Sequence, residues 1–306
     1  MKVTVLTGGV GGAKLVLGLL QVLPAADVTA IVNTGDDFRH IGLHVSPDID
    51  TLLYTLSGKA NPALGWGRAD ESWNFLDTLR AMGGPDWFAL GDRDLALHVL
   101  RTARLAQGQG LDAITADFAR AMGIGAAIVP MTNDCVATQL DTDEGRLDFQ
   151  HYFVARRCTP HVRQVHFDGA DAARPAPGVI AAIHGADAVL VAPSNPFLSI
   201  DPLLAVPGIA DALVATPAPV VAISPIIAGK AVKGPTAKLM AELGIALANR
   251  SIAAHYGAWI DGLVIDLGDD APPGLAIART ETLMRDHADK ARVAQVALDL
   301  AASIAG

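Results

Sequence analysis

The sequence predicts an α/β protein with a Rossmann-like, mostly parallel sheet that carries helices on both faces, plus a helical and β-ribbon insertion. The composition is the first indication, because 51% of the 306 residues are hydrophobic and only 5% are aromatic. Such a composition is typical of helices packed on strands that are buried on both faces. The second indication is that short apolar segments alternate with amphipathic ones. The third is a first strand that ends in glycines and continues as a helix.

The N-terminal elements form a βαβ unit. A strand is predicted at residues 2–7, a helix at 15–23, a second strand at 28–32 and a further helix at 52–56. The crossover between parallel strands is right-handed, so both strand ends open on the same edge of the sheet. Ligands of open α/β sheets bind outside those ends, which here are the glycine-rich turn and residues 33–38.

The remaining elements divide into an insertion and a returning core. Within residues 60–170, helices are predicted at 71–82, 93–107 and 111–122, and strand-like segments at 127–130, 136–140, 146–154 and 162–167. The α/β alternation then resumes with a helix at 178–184, strands at 188–192 and 220–224, a helix at 235–243, a last strand at 262–266 and a closing helix at 281–304. We expect residues 1–59 and 171–306 to share one sheet.

Bulk properties exclude several classes of partner. The formal charge is −9, and no basic stripe is visible, so a general nucleic-acid binder is not expected. The two cysteines lack metal-like spacing, which favours a reducing compartment. The N-terminus lacks the apolar core of a secretory signal, and the most apolar stretch, 203–229, is broken by prolines. A cytoplasmic protein without a membrane partner is expected.

The glycine-rich turn predicts an anion site. Gly9, Gly11 and Gly12 precede a helix whose first N–H groups have no carbonyl partner, and Lys14 follows them. The turn is not a P-loop, because Leu15 follows the lysine. It is also not a dinucleotide fingerprint, because Lys14 occupies the position of the third glycine. The alternative is a tight strand–helix turn without a ligand.

Four carboxylates are expected to face this turn. Asp36 and Asp37 follow the second strand, and Asp48 and Asp50 begin the next helix. Carboxylates beside a phosphate are unfavourable unless a cation lies between them, and Mg²⁺ is the usual cation. The alternative for each aspartate is helix capping, which the Ser46-Pro-Asp48 sequence also suits.

Other polar residues lie at predicted strand or helix ends. Arg93 begins a helix that carries His98 and Arg101, and it can bind a carboxylate or phosphate, or form a surface ion pair with Asp92 or Asp94. Side chains suited to a phosphate, ribose or base edge follow the strands, and they are Asn33, Ser194, Asn195, Ser224 and, further on, Lys233.

The order and length of these motifs resemble the 2-phospho-L-lactate transferase family, including its phosphoenolpyruvate transferase variants. The matching motifs are Gly8-Gly-Val-Gly-Gly-Ala-Lys14, Asn33-Thr-Gly-Asp-Asp37, Ser46-Pro-Asp-Ile-Asp-Thr51, Leu90-Gly-Asp-Arg-Asp94, Phe149-Gln-His-Tyr-Phe-Val154, Pro193-Ser-Asn-Pro196, Ser224-Pro-Ile-Ile227 and His255-Tyr256. One departure is Ala228, where the family pattern often has glycine; alanine does not readily adopt a positive φ.

The resemblance implies a Rossmann-like, usually dimeric, Mg²⁺-dependent enzyme of coenzyme F420 biosynthesis. It implies transfer of a phospholactyl or phosphoenolpyruvyl group from a guanosine diphosphate ester to the ribityl hydroxyl of the deazaflavin FO, with release of GMP. Asp50 and Arg93 match the family's FO-contacting positions and are the expected catalytic residues, and residues 60–170 would contribute to that acceptor pocket. Asp50 would either orient the ribityl hydroxyl and accept its proton, or bind the metal directly. The glycine turn, with Asn33, Asp36, Asp37, Ser194, Asn195 and Ser224, would hold the donor, and Asp48 and Asp50 the metal.

Two other functions compete with this one. A non-catalytic, regulatory nucleotide-sugar-binding protein of the related gluconeogenesis factor branch would share the glycine-rich start. That branch resembles Asp-Asp-Gly-Gly-Ser-Ser after the second strand, whereas this chain has Asn33-Thr-Gly-Asp-Asp-Phe38. A nicotinamide-dependent oxidoreductase is disfavoured by the missing third glycine and by the acidic cluster where the cofactor's phosphates would pass.

Overall fold

Seven parallel strands form the central sheet of the computed structural model, which describes residues 1–62, 67–231 and 235–306. The strands of the described residues are β1 (Val3–Thr7), β2 (Val28–Val32), β3 (Phe38–His40), β4 (Leu43–Val45), β5 (Ala127–Pro130), β6 (Ala137–Thr142), β7 (Gly145–Asp148), β8 (Val162–Asp168), β9 (Ala188–Val191), β10 (Val220–Ile223), β11 (Ile226–Ile227), β12 (Lys230–Ala231), β13 (Gly262–Asp266) and β14 (Ala276–Thr280).

The helices cover both faces of this sheet. They are α1 (Gly9–Val22), α2 (Pro47–Leu56), α3 (Asn74–Ala81), α4 (Asp92–Ala106), α5 (Leu111–Ala121), α6 (Val179–His184), α7 (Asp201–Ala205), α8 (Ile209–Ala215), α9 (Thr236–Glu242), α10 (Asn249–Tyr256) and α11 (His287–Ala305). One core cluster joins α1, α2 and α11 to one face, and a second joins α6, α8 and α10 to the other. The predicted fold class is thus confirmed.

The order of strands in the sheet is β5-β2-β1-β9-β10-β13-β14. Numbered along the chain, this is the 3-2-1-4-5-6 order of Rossmann folds with a seventh strand added. The direction of winding reverses between β1 and β9, which pair in parallel from Val3 with Ala188 to Leu6 with Val191. The crevice at this switch point is where doubly wound sheets bind ligands, so the fold directs attention to the loops after β1 and β9.

Several sequence predictions differ from the structure. Helix α1 begins at Gly9 and not at Leu15, so the glycines form its first turn. Residues 151–155 form one wide helical turn in place of the predicted strand, and the buried Phe149 and Tyr152 have the i, i+3 spacing of a helix. A further strand, β14, follows the strand predicted to be last. The closing helix begins later, at His287, because the Asp286 carboxylate caps it by accepting from Asp289 N.

The segment predicted as an insertion contributes to the main sheet as well as to the appended elements. Strand β5 pairs with β2 at the sheet edge, although it lies within residues 60–170. The rest of that segment holds helices α3 to α5 and the antiparallel ribbon β7-β6-β8. The boundaries at 59 and 171 therefore separate chain segments more than they separate structural layers.

Among the described residues, no single helix is both long and apolar enough to cross a bilayer. One pair bent by 90°, Pro196–Ala205 with Ile209–Ala215, meets the criteria of length and composition when taken together.

Candidate active site

The glycine turn, the end of β2 and the start of α2 meet at one point. The Asp48 carboxylate accepts from Gly9 N at 2.7 Å through Oδ1 and from Asn33 Nδ2 at 2.9 Å through Oδ2. Asp48 lies in the first turn of α2, which Pro47 begins. The structure thus brings the predicted donor residues Gly9 and Asn33 together with the predicted metal ligand Asp48.

The loop after β9 closes against the first turn of α1. A Cβ at Gly11 would lie 2.6 Å from the carbonyl oxygen of Pro193, so glycine is needed here for the helix and the loop to approach. The Ser194 hydroxyl donates to the carbonyl oxygen of Gly8 at 2.6 Å. Gly12 lies against the β1 side chain Thr7 in the same way. Gly11 and Gly12 therefore permit close contacts between protein segments, and their ligand contacts stay predictions.

Asn195 combines a capping role with an unused donor. Its Oδ1 accepts from Phe197 N at 3.0 Å and Leu198 N at 3.2 Å, which begins the wide helical turn at 196–200. Its Nδ2 is buried and has no hydrogen-bond partner within the described part of the chain. A buried amide donor without an acceptor costs free energy. Asn195 is therefore a group that an anionic ligand at the switch point would satisfy.

Buried carboxylates concentrate negative charge at the end of β2. Burial raises the pKa of Asp36 well above its usual range, and the nearby charge of Asp48 raises it further. Burial also raises the pKa of Asp48 to about 6, against the lowering effect of its bonds from Asn33 and Gly9. Burial raises the pKa of Asp37 as well, although its Oδ2 accepts a hydrogen bond from Ser46 Oγ at 2.7 Å, which acts in the opposite direction. Asp36 Oδ1 has no partner among the described residues.

Asp50 differs from these carboxylates in pairing with a buried arginine. It is 5% exposed, and both of its oxygens accept from Arg101 on α4, with Nη1 at 3.2 Å from Oδ2. Its charge is balanced by that guanidinium, whereas Asp48, two residues earlier, bonds only to neutral donors. No group of three or more His, Cys, Asp or Glu in the described ranges is arranged to hold a metal ion. A metal shared by Asp48 and Asp50 stays a prediction.

Arg93 lies at the exposed start of α4. Its side chain is 54% exposed, and its Nη1 lies 4.0 Å from Asp70. Its backbone N donates to Glu71 Oε2 at 2.7 Å, and the preceding Asp92 accepts from Phe75 N at 3.0 Å. The Leu90–Asp94 motif thus ties α4 to the segment before α3. The surface ion pair that was the alternative for Arg93 is a loose one, and it forms with Asp70 and not with Asp92 or Asp94.

Lys14 and Ser224 have protein partners. Lys14 Nζ donates to Met284 O at 2.7 Å, in the segment before α11. The reason is the early start of α1, which places Lys14 in the second turn of the helix and not at its N-terminus. Ser224 Oγ donates to Asn249 Oδ1 at 2.5 Å and accepts from Ile226 N at 3.1 Å. These two residues therefore stabilise the loops near the strand ends through contacts within the protein, and their ligand contacts stay predictions.

Ala228 adopts a positive φ, the conformation that is unfavourable for alanine. Its φ is +49°, and the next residue, Gly229, has a φ of +68°. Two consecutive positive φ values connect β11 to β12 as in a type I′ hairpin. Gly229 N also donates to Asp269 Oδ1 at 2.8 Å. The predicted cation at Lys233 lies outside the described residues.

This arrangement suits a phosphorylated ligand. A helix N-terminus and an unused amide donor are at the switch point, and buried carboxylates that repel one another lie beside them. Two surface depressions, of about 400 and 430 Å³, lie elsewhere, against β5 and beside α10.

The family profile described as 2-phospho-L-lactate transferase CofD matches residues 3–303. The chain belongs to this family.

Curated members of the family are similar to this chain along its whole length. The phosphoenolpyruvate transferase of Streptomyces coelicolor is 42% identical, over 99% of each chain. That of Mycobacterium sp. (strain JLS) is 41% identical, over 98% of this chain and 99% of the relative. The resemblance found in the motifs is thus confirmed, and the protein is a transferase enzyme of the 2-phospho-L-lactate transferase family.

Solved structures share the fold at low sequence identity. Protein BH3568 from Bacillus halodurans has a TM-score of 0.65 and 16% identity, and the match covers 97% of this chain and 99% of that one. A second structure of that protein, described as a member of the UPF0052 family, has a TM-score of 0.64 and 17% identity. These two matches support the fold alone. The much higher identity to transferases removes the reason to prefer a regulatory protein.

Proposed function

We propose that this protein transfers a phosphoenolpyruvyl group from enolpyruvyl-diphosphoguanosine to the ribityl hydroxyl of the deazaflavin FO, releasing GMP, in coenzyme F420 biosynthesis. The whole-length similarity to phosphoenolpyruvate transferases carries this proposal, because it favours enolpyruvate over lactate as the transferred acid. The hydroxyl oxygen forms a bond to the phosphorus that bears enolpyruvate. The bond from that phosphorus to the bridging oxygen breaks, GMP leaves with the bridging oxygen, and the proton of the hydroxyl is released to solvent.

The donor diphosphate is proposed at the switch point between β1 and β9. The first turn of α1 directs N–H groups and the positive end of the helix dipole toward this crevice. Asn195 Nδ2, buried and without a partner among the described residues, would donate to a phosphate oxygen. Such donors stabilise charge that accumulates on a leaving phosphate. Ser194 and Ser224 hold the loops that form this crevice.

The carboxylates beside the crevice fit a Mg²⁺ ion. Asp36 has a buried oxygen without a described partner, and its pKa and that of Asp48 are both raised by burial and by neighbouring negative charge. A divalent cation would remove that repulsion, and carboxylate oxygens are the ligands Mg²⁺ prefers. When bound, Mg²⁺ would neutralise charge on the diphosphate. We therefore assign Asp36 and Asp48 to this role, beside the prediction for Asp50.

The acceptor is proposed on the side formed by α2 and α4. Asp50 and Arg93 occupy the positions that match FO contacts in the family, and α4 belongs to the 60–170 segment. With its charge balanced by Arg101, Asp50 would orient the ribityl hydroxyl by accepting its hydrogen bond.

A cytoplasmic homodimer is part of the same proposal, and the two cysteines, which form no disulfide, agree with a reducing compartment.

Mass spectrometry of the product tests the proposal. The purified protein is incubated with FO, Mg²⁺ and, in separate reactions, the enolpyruvyl, lactyl or glyceryl diphosphoguanosine donor. We expect the enolpyruvyl donor to give the fastest product formation, with GMP in equal amount. Faster transfer from the lactyl donor would show that enolpyruvate is the wrong acid. The absence of transfer from any donor would contradict the proposed reaction.

A further inference from the structure

A buried polar ladder joins α2 to α4. Asp50 and Tyr54 lie one turn apart on α2, and Asp94, His98 and Arg101 lie at i, i+4 and i+7 on α4. The Arg101 side chain is fully buried, and those of His98 and Tyr54 are 1% and 2% exposed. Arginine is almost never buried unless it is paired. The ladder is therefore a specific device and not a chance surface contact.

The contacts of the ladder run continuously between the two helices. At one end, Arg101 bonds to both oxygens of Asp50, and its Nη1 lies 3.4 Å from His98 Nδ1. In the middle, His98 Nδ1 is 3.7 Å from Asp50 Oδ2 and Nε2 is 3.2 Å from Asp94 Oδ2. At the other end, the Tyr54 hydroxyl donates to Asp94 Oδ1. Burial raises the pKa of Tyr54, so it stays a donor.

The ladder fixes the relative register of two helices that carry predicted site residues. The N-terminal turn of α2 reaches the donor side through the bonds of Asp48 to Gly9 and Asn33. The N-terminal turn of α4 carries Arg93. A bidentate arginine–carboxylate pair has strict geometry, so it holds both elements at one spacing and orientation. Apolar residues of similar volume would stabilise as well without specifying that geometry.

We propose that Arg101 is a positioning residue for the acceptor: it holds the Asp50 carboxylate and, through α4, Arg93 in the arrangement that binds the deazaflavin. This inference rests on the proposed function, because it assigns Asp50 and Arg93 to the acceptor. Arg101 itself is fully buried, so it acts through Asp50 and not by touching substrate. The donor side is held by different hydrogen bonds, because Asp48 accepts from Gly9 N and Asn33 Nδ2 and does not bond to Arg101.

The principal test compares Arg101→Lys with Arg104→Lys. Lysine keeps the charge but cannot form the bidentate pair. Arg104 is a matched control, because it lies one turn further on α4, faces the same Phe118 ring at 6.0 Å, and pairs with Asp117 in place of Asp50. For Arg101→Lys we expect the dissociation constant of FO, measured from its fluorescence, and the KM for FO to rise about tenfold, which is about 1.4 kcal/mol. The dissociation constant of GDP should change less than twofold.

Further variants keep the test decisive if lysine at position 101 prevents folding. Tyr54→Phe removes the hydroxyl that holds Asp94 and should weaken FO binding in the same direction, with GDP binding unchanged. In Arg101→Ala, added guanidinium at a non-denaturing concentration should restore FO binding, whereas it should not affect Arg104→Ala. Unchanged FO binding in Arg101→Lys and Tyr54→Phe, or equal losses of FO and GDP binding, would overturn the inference. Absence of turnover in the wild type would instead contradict the proposed function, since FO binding is measured without it.

Discussion

Alanine at position 11 tests the packing at the switch point. A Cβ there would lie 2.6 Å from Pro193 O, and ordinary contact begins at 3.4 Å, so helix and loop must separate by about 0.8 Å. Overpacking of this kind costs about 1–3 kcal/mol, and the better helix propensity of alanine offsets about 1 kcal/mol. The expected net loss is about 1 kcal/mol, which lowers the melting temperature by about 2–4 °C. The displaced loop carries Ser194 and Asn195, so affinity for GDP should fall as well.

The measurements are thermal unfolding and calorimetric titration with GDP in the presence of Mg²⁺. Gly18→Ala is the matched control, because its Cβ would lie 2.2 Å from the backbone oxygen of Lys290 at the far end of the same helix. This control should lower the melting temperature at least as much and leave GDP affinity unchanged. If Gly11→Ala unfolds and binds GDP as the wild type does, the loop does not pack against α1 as described. If Gly18→Ala loses GDP affinity equally, the effect is not local to the crevice.

Three further predictions concern other parts of the molecule. Ala228→Gly should raise the melting temperature by about 1–4 °C, because relief of about 1–2 kcal/mol of left-handed strain exceeds the roughly 0.4–1 kcal/mol gained by the more flexible unfolded chain; an unchanged or lower value would contradict the positive φ of Ala228. Asp36→Asn should raise the melting temperature of the metal-free protein and abolish its increase with Mg²⁺, since the buried charge beside Asp48 is removed; a Mg²⁺ response equal to that of the wild type would refute this assignment. A hydrogen bond from the backbone N–H of Phe75 is the largest cause that lowers the pKa of Asp92 to about 2. The ionised carboxylate therefore stabilises the fold most above a pH of about 4, so the difference in melting temperature between wild type and Asp92→Ala should be largest there and should shrink toward pH 2. A difference in melting temperature that grows on acidification would contradict the lowered pKa of Asp92.

The interior strands were predictable because their physics is local. Residues 188–191 and 220–223 are continuous apolar runs that can only be buried on both faces, and the structure buries every one of them. Segments that cover a single face were less predictable. Phe149 and Tyr152 alternate with polar residues in a way that suits a strand or a helical turn, and packing selected the turn.

The residues at the strand ends followed from topology. Gly9, Asn33 and Asp48 were expected near one another because parallel strands end at the same edge, and hydrogen bonds at 2.7 and 2.9 Å connect them. Their roles toward substrate stay predictions. The pairing of Asp50 with Arg101 could not be foreseen in the same way, because 51 positions separate the two residues. The only sequence signal was the i, i+4, i+7 spacing of polar residues along α4.

The sequence alone determined the fold class, the family and the group of polar residues at the ends of the parallel strands. These depend on hydrophobic periodicity, turn chemistry and the order of motifs, which are properties of neighbouring residues. Only the tertiary structure decided that Gly11 and Gly12 pack against Pro193 and Thr7, that Lys14 turns toward Met284, and that Asp48 and Asp50 have different partners. Those outcomes depend on which helix face meets which neighbour, and that is settled by packing of segments far apart in the chain.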